Sequence, residues 1–185
     1  MQSPVTGYRK SATTAVRCVD VAALVAAAVL RKNTDAEVLP FENDVVRCDL
    51  NSHDSIMTNA TKLAAIGGGG TNCSAPLAKL NSRKAMSELV IFVSDNESWV
   101  DQRAGRGTAT MQEWAIFKKR NPAAKLVCID IQPYGTSQTS DAGRDDVLNI
   151  GGCSDAVFDV IAEFAEGNLG SHGGHWVNVI EKVSL

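Results

Sequence analysis

The segment Leu89–Trp99 constrains the fold more than any other part of the chain. Five apolar residues (89–93) run directly into the polar residues Ser94 and Asp95. A short apolar run rich in valine and isoleucine is typical of a strand that is buried on both faces of a sheet. Its abrupt polar end puts Asp95 at the carboxyl end of that strand, the edge at which open α/β sheets bind ligands. The same stretch is equally compatible with an ordinary strand followed by a polar loop.

The segments that follow predict a doubly wound α/β fold. Strands and helices alternate from Leu89 onward, and this order favours a mostly parallel sheet with helices on both faces. The predicted strands are 89–93, 125–131 and 147–150, and the predicted helices are 108–120 and 154–166. We expect one domain over residues 1–166 and a glycine-rich tail over residues 167–185.

The first half of the chain predicts a more mixed set of elements. A helix is expected from Arg9 to about Asn33, and its apolar core, residues 21–30, is too short to span a bilayer. Two short strands, 36–41 and 45–50, read as a hairpin at a sheet edge. Two further helices are expected at 55–66 and 75–82.

Charge and cysteine content limit the function classes. The formal net charge is −3, so the chain lacks the overall basic character that usually accompanies nucleic-acid binding. The five cysteines are widely spread, and no pair has zinc-site spacing. We expect them to be mostly small buried hydrophobes in a protein of the reducing cytoplasm.

The glycine-rich segment 67–71 supplies a second candidate group, Thr71. A threonine hydroxyl and the Asp95 carboxylate are hard oxygen ligands, which suit Mg²⁺ or Mn²⁺. Two ligands do not make a site, because a divalent ion needs further oxygens from water, protein or substrate. The segment is no P-loop, since the Gly-Lys-Ser/Thr sequence is absent.

Other candidates are weaker. His172 and His175 lie in the glycine-rich tail at a spacing that fits no familiar metal site. Glu97 and Asp101 could act as acids or bases, although exposed loop carboxylates are the commoner case. Ser74 lacks the flanking glycines of a nucleophile elbow.

Two motifs resemble those of a known family. Gly-Gly-Gly-Thr-Asn-Cys-Ser-Ala-Pro-Leu (68–77) and Val-Ile-Phe-Val-Ser-Asp-Asn-Glu-Ser (90–98) resemble the von Willebrand factor A domain. They are most similar to the version at the carboxyl end of the Ro autoantigen family, the TROVE-domain RNA-binding proteins. The resemblance covers about residues 1–166 and includes the closing strands and helix.

The resemblance implies a metal site and a missing strand. In such domains an Asp-x-Ser-x-Ser stretch, a later Thr and a later Asp hold the ion; Thr71 and Asp95 match the last two. The Asp-x-Ser-x-Ser stretch is absent, and Met1 is expected to follow directly after its position. The central first strand, which would lie between residues 36–41 and 89–94, is therefore expected to be absent as well.

The function implied by the resemblance is that of a ligand-binding module in a protein that binds small noncoding or misfolded RNA. No catalysis, membrane or DNA is expected, and Arg103 and Arg106 are the candidates for phosphate contact. Two alternatives remain open. One is a metal-dependent protein–protein interaction module unrelated to RNA, and the other is a metal-dependent hydrolase acting through Asp95 and Glu97.

Overall fold

The structure, a computed structural model, describes residues 2, 4–5, 15–95, 108–132 and 144–167. Within these residues three parallel strands form one sheet in the order β1-β2-β3. The strands are β1 (Leu89–Ser94), β2 (Lys125–Asp130) and β3 (Val147–Gly151). The helices are α1 (Cys18–Lys32), α2 (Ile56–Ala64), α3 (Ala75–Ser82), α4 (Ala109–Arg120) and α5 (Ala156–Glu166). The predicted α/β class with a parallel sheet is confirmed.

The sheet carries helices on both faces because its side chains alternate between two cores. On one face, Phe92 of β1 and Leu126 of β2 pack with Leu77 of α3 and Trp114 of α4. The other face has its own core, formed by the alternate residues of the strands with α1 and α5. Its buried members are Val25, Val127, Ile129, Val157, Ile161 and Phe164. The doubly wound arrangement therefore follows directly from the period-2 pattern of β1 and β2.

The predicted hairpin of residues 36–50 is wrong as a pair of strands. A single isolated antiparallel bridge joins Phe41 to Val45, and the residues on either side of it (36–40 and 46–50) do not form strands. Pro40 lacks a backbone N–H, so it cannot donate a hydrogen bond to a neighbouring strand. The side chains of Val38, Cys48 and Leu50 pack against the α1–α2 core, so burial on these helices determines the path of this segment.

The helix predicted from Arg9 begins later. Residues 6–14 lie outside the described ranges, and residues 15–17 are not helical. α1 begins at Cys18, where the Asp20 carboxylate accepts a hydrogen bond of 2.8 Å from the backbone N–H of Arg17. Arg17 also bridges to Pro4, so this end of the chain is held in extended geometry before the helix.

β1 is the less protected of the two long strands. Every residue of β2 except Lys125 is buried, whereas four of the six residues of β1 are only half-buried. Among the described residues, β1 pairs with β2 alone, and its other edge has no strand beside it.

Candidate metal centre at the carboxyl edge of the sheet

Two buried carboxylates lie at the carboxyl ends of neighbouring strands. Ser94, the last residue of β1, is in register with Asp130, the last residue of β2. Asp95 follows Ser94 directly, and its exposed fraction is 0%, against 5% for Asp130. The sequence-based site did not include Asp130. The sequence signal for Asp130 is a second apolar run that ends in an aspartate. Because the apolar residue Ile131 follows Asp130, the predicted strand extends to residue 131 and Asp130 is placed inside it.

The environment of Asp130 disfavours its charged form. Burial, together with the nearby charge of Asp95, raises the pKa of Asp130 to about 6. The Oδ1 atom of Asp130 is inaccessible and accepts no hydrogen bond. Buried charges in proteins are normally paired or bound to a metal, so this carboxylate is unusual.

The glycine-rich segment lies near the same end of β1. The backbone N–H of Asn72 donates to the carbonyl of Glu42 (2.8 Å), and the Asn72 side chain donates to the carbonyl of Asn43 (3.1 Å). Next to this turn, the ring of Phe41 packs edge-on against that of Phe92, with 6.0 Å between ring centroids. Phe92 lies near the end of β1, so these contacts attach the segment that carries half-buried Thr71 to the region around that end of the strand.

One glycine of this segment has a conformation that other residues rarely adopt. Gly68 has a φ of +120°, a region that is sterically closed to residues with a Cβ. Gly68 lies in the connection between α2 and α3, three residues before Thr71, so a residue with a side chain would strain the backbone of this connection.

Two helices begin at the same edge. α3 is joined to β1, and α4 to β2, by short connections (83–88 and 121–124), so both helices run antiparallel to the strands that follow them. Their amino termini therefore lie at the carboxyl edge, where their partial positive charges favour anions. In α4 the side chain of Thr108 caps the helix by accepting a hydrogen bond from Met111 N–H.

Comparison with known proteins identifies the family. The profile described as the Ro60 vWA domain matches residues 2–165. The chain belongs to this family. Its sequence is 24% identical over 148 residues to a protein of Deinococcus radiodurans named RNA-binding protein RO60. The fold is similar to the crystal structure of the Deinococcus radiodurans RO (RSR) protein, with a TM-score of 0.67 and 21% identity over 82% of the chain.

This vWA chain matches only part of those relatives. The aligned region is 80% of the chain but 27% of the curated relative, and the structural match covers 29% of the solved chain. None of the described helices is long and apolar enough to cross a membrane.

The donor set at the carboxyl edge fits a hard divalent cation. Thr71 offers a hydroxyl, and Asp95 and Asp130 offer carboxylates, which are the oxygen types that Mg²⁺ and Mn²⁺ prefer. Within the described ranges no three histidine, cysteine or acidic side chains converge on one point. An ion here therefore needs the hydroxyl, water or oxygens of a bound ligand. The assignment of Thr71 and Asp95 as metal ligands stays a prediction.

The remaining candidates of this vWA domain divide into two groups. Ser74 donates its hydroxyl to Asn72 Oδ1 over 2.7 Å, a local turn contact with no base attached. None of the five cysteines forms a disulfide bond, and three of them are buried, as expected for small hydrophobes. The other candidates lie outside the described residues: Glu97, Asp101, Arg103, Arg106, His172 and His175.

Proposed function

We propose that the chain is the cation-dependent, ligand-binding vWA module of a Ro-like RNA-binding protein, and that it acts by binding without catalysis. The observation that carries the proposal is the cluster of buried acidic oxygens at the carboxyl edge of a sheet that belongs to the Ro60 vWA family. The carboxyl edge is the position at which this class of fold binds ligands.

Thr71 and Asp95 are proposed to hold Mg²⁺ or Mn²⁺. Asp95 provides a carboxylate that is shielded from bulk water, and Thr71 provides a neutral hydroxyl on a loop anchored to Glu42 and Asn43. An ion bound there would supply a positive charge, and an oxygen atom of the ligand would coordinate it. An anionic group, either a phosphate or a carboxylate, is therefore the ligand chemistry that this edge favours.

For the whole protein we propose binding of small noncoding or misfolded RNA in the cytoplasm. The similarity to the Deinococcus radiodurans protein named RNA-binding protein RO60 supports this proposal. The net charge of −3 argues that this chain by itself contributes little of the RNA affinity. Arg103 and Arg106 are the proposed phosphate contacts of the chain.

The experiment is RNA binding by the 185-residue chain, measured by mobility shift with and without Mg²⁺ in the wild type and in Asp95→Asn. Glu88→Gln is the matched control, because exposed Glu88 lies at the opposite end of β1 and the charge change is the same. We expect Mg²⁺ to strengthen RNA binding in the wild type and in the control, but not in Asp95→Asn.

The alternatives give different outcomes. If Asp95→Asn abolishes metal binding while RNA binding does not change, the ion does not serve RNA binding, and the protein–protein interaction module becomes the favoured function. If the chain hydrolyses a phosphodiester substrate and Asp95→Asn abolishes the turnover, the module is a hydrolase, and the binding proposal is wrong.

A further inference from the structure

We propose that Asp130 is a ligand of the same divalent cation as Asp95, so that the site takes one carboxylate from each of two adjacent strands. The proposal rests on the proposed metal-binding function and adds a residue that the sequence did not single out. Its basis is the side of the sheet on which Asp130 lies, the lack of a partner for its buried oxygen, and the contrast with Asp146, a half-buried aspartate.

The strand pattern puts Asp130 on the same side as the Thr71 loop. Leu126 and Cys128 of β2 both belong to the core that faces α3 and α4. Alternation along the strand directs the residue two positions further, Asp130, to the same side. The loop that carries Thr71 leads into α3, which also covers this side of the sheet.

The register brings Asp130 next to Asp95. Asp130 is in register with Ser94, and the backbone N–H of Ile131 donates to the Ser94 carbonyl over 2.8 Å. This ladder fixes the two strand ends relative to each other, so the two acidic residues are neighbours at one edge. Two carboxylates together balance the charge of one divalent ion.

The Oδ1 atom of Asp130 lacks the hydrogen-bond partner that a buried carboxylate normally has. It is inaccessible, it accepts no hydrogen bond, and no ion pair between described residues includes Asp130. Leaving a buried charge without compensation is costly, so buried carboxylates are usually paired or bound to a metal. A cation at this edge would satisfy this oxygen.

Asp146 shows what a structural carboxylate looks like in the same protein. Its Oδ2 accepts hydrogen bonds from Trp114 Nε1 (3.0 Å) and Arg144 (2.7 Å), and Lys118 Nζ lies 3.8 Å away. The protein itself therefore neutralises Asp146. Among the described residues, Asp130 has no comparable hydrogen-bond donors or cationic side chains around it. This difference indicates that Asp130 is the carboxylate whose charge an external cation would balance.

The test is Mn²⁺ binding to the 185-residue chain, followed by calorimetry and by the electron paramagnetic resonance signal of free Mn²⁺. The variants are Asp130→Asn and Asp95→Asn, with Glu88→Gln as the control of equal charge change. We expect Asp130→Asn to weaken Mn²⁺ binding at least about tenfold, and the control to leave it unchanged. Thermal unfolding without metal verifies that each variant is folded, and Asp130→Ser repeats the test should the asparagine variant not fold.

The outcomes separate this inference from the proposed function. Weakening by both aspartate variants supports both. Weakening by Asp95→Asn alone overturns the inference and leaves the proposed site intact. Weakening by Asp130→Asn alone supports the role of Asp130 and removes Asp95 from the ligand set. Unchanged affinity in both variants, or no Mn²⁺ binding by the wild type, overturns the inference and the proposed site together.

Discussion

At the scale of single residues, the opposite electrostatics of buried Asp130 and half-buried Asp146 distinguish the candidate site from the rest of the protein. Asp130 has a raised pKa because of burial and the charge of Asp95. For Asp146, burial alone would raise the pKa, but hydrogen bonds from Arg144 and Trp114 outweigh it, so the net shift is downward. At neutral pH, the charged Asp130 therefore destabilises the metal-free fold, whereas the charged Asp146 stabilises it.

The first prediction concerns Asp130→Asn in the absence of metal. Because the pKa of about 6 exceeds the unfolded value of 3.8, the contribution of Asp130 to stability is fully present only below pH 3.8 and is lost as pH rises from there through 6. We expect the variant to be more stable than the wild type by about 1–3 kcal/mol at pH 8, with the difference shrinking below pH 6. Urea denaturation in the presence of a chelator at several pH values measures the difference in free energy of unfolding between the variant and the wild type. A difference that does not change with pH would contradict the prediction.

The second prediction concerns Asp146→Asn, for which the sign is reversed. Because the folded pKa lies below the unfolded value, the stabilisation is present above the unfolded pKa and is lost as pH falls through the folded pKa. We expect a loss of about 1–2 kcal/mol at pH 7, since Arg144 loses its charged partner. The loss should shrink as the pH falls below the unfolded pKa of 3.8. A variant as stable as the wild type at pH 7 would show that the contacts of Asp146 with Trp114, Arg144 and Lys118 contribute little to stability.

At the scale of elements, the feature that matters most is the edge of β1. The carbonyls of Glu88 and Ser94 accept hydrogen bonds from the backbone of the β2 segment. By the alternation of a parallel ladder, the backbone groups of Leu89, Ile91 and Val93 point to the other edge. Among the described residues no strand covers that edge, and such edges favour association with another chain.

The third prediction follows from this edge. We expect the isolated chain to associate at micromolar concentrations, and we expect Ile91→Pro to reduce the association because proline removes an edge N–H without touching the β2 ladder. Ile91→Ala is the matched control, since it shortens the side chain and keeps the N–H. Analytical ultracentrifugation compares the three. If the wild type stays monomeric and its edge amides are protected from hydrogen exchange, the edge is already paired.

At the scale of the whole molecule, the net charge of −3 opposes RNA binding by this chain alone. The phosphate backbone attracts positive charge, and the affinity then falls steeply as salt increases. RNA binding is a proposal for this chain, whose match covers 27% of the length of the relative named RNA-binding protein RO60. Most of the RNA affinity is therefore expected outside this chain.

The fourth prediction tests the proposed phosphate contacts. We expect weak RNA binding by the chain and a lower affinity, with a shallower salt dependence, after Arg103→Ala combined with Arg106→Ala. The control combines Lys32→Ala with Lys119→Ala, which removes the same charge from two exposed helix ends. Mobility shifts at several salt concentrations give both quantities. Equal affinity of the arginine variant and the wild type would exclude these contacts.

The sequence by itself determined the elements whose signals are local. The helix predicted over residues 75–82 has those bounds in the structure. Ser55 and Thr108 begin their helices by accepting hydrogen bonds from Thr58 N–H and Met111 N–H. The apolar run before Ser94 forms β1. Capping and hydrophobic periodicity act over a few residues, so they can be read without knowledge of the neighbours.

Only the tertiary structure decided how distant segments meet. Residues 36–50 have the pattern of a hairpin, but their apolar side chains are buried on α1 and α2, so no ladder forms. Asp130 joins the candidate site because the β1–β2 register aligns it with Ser94, which lies 36 positions earlier in the chain. Register and burial depend on contacts between residues far apart in sequence. For this reason the sequence could point to Asp95 but could not reveal the buried carboxylate beside it.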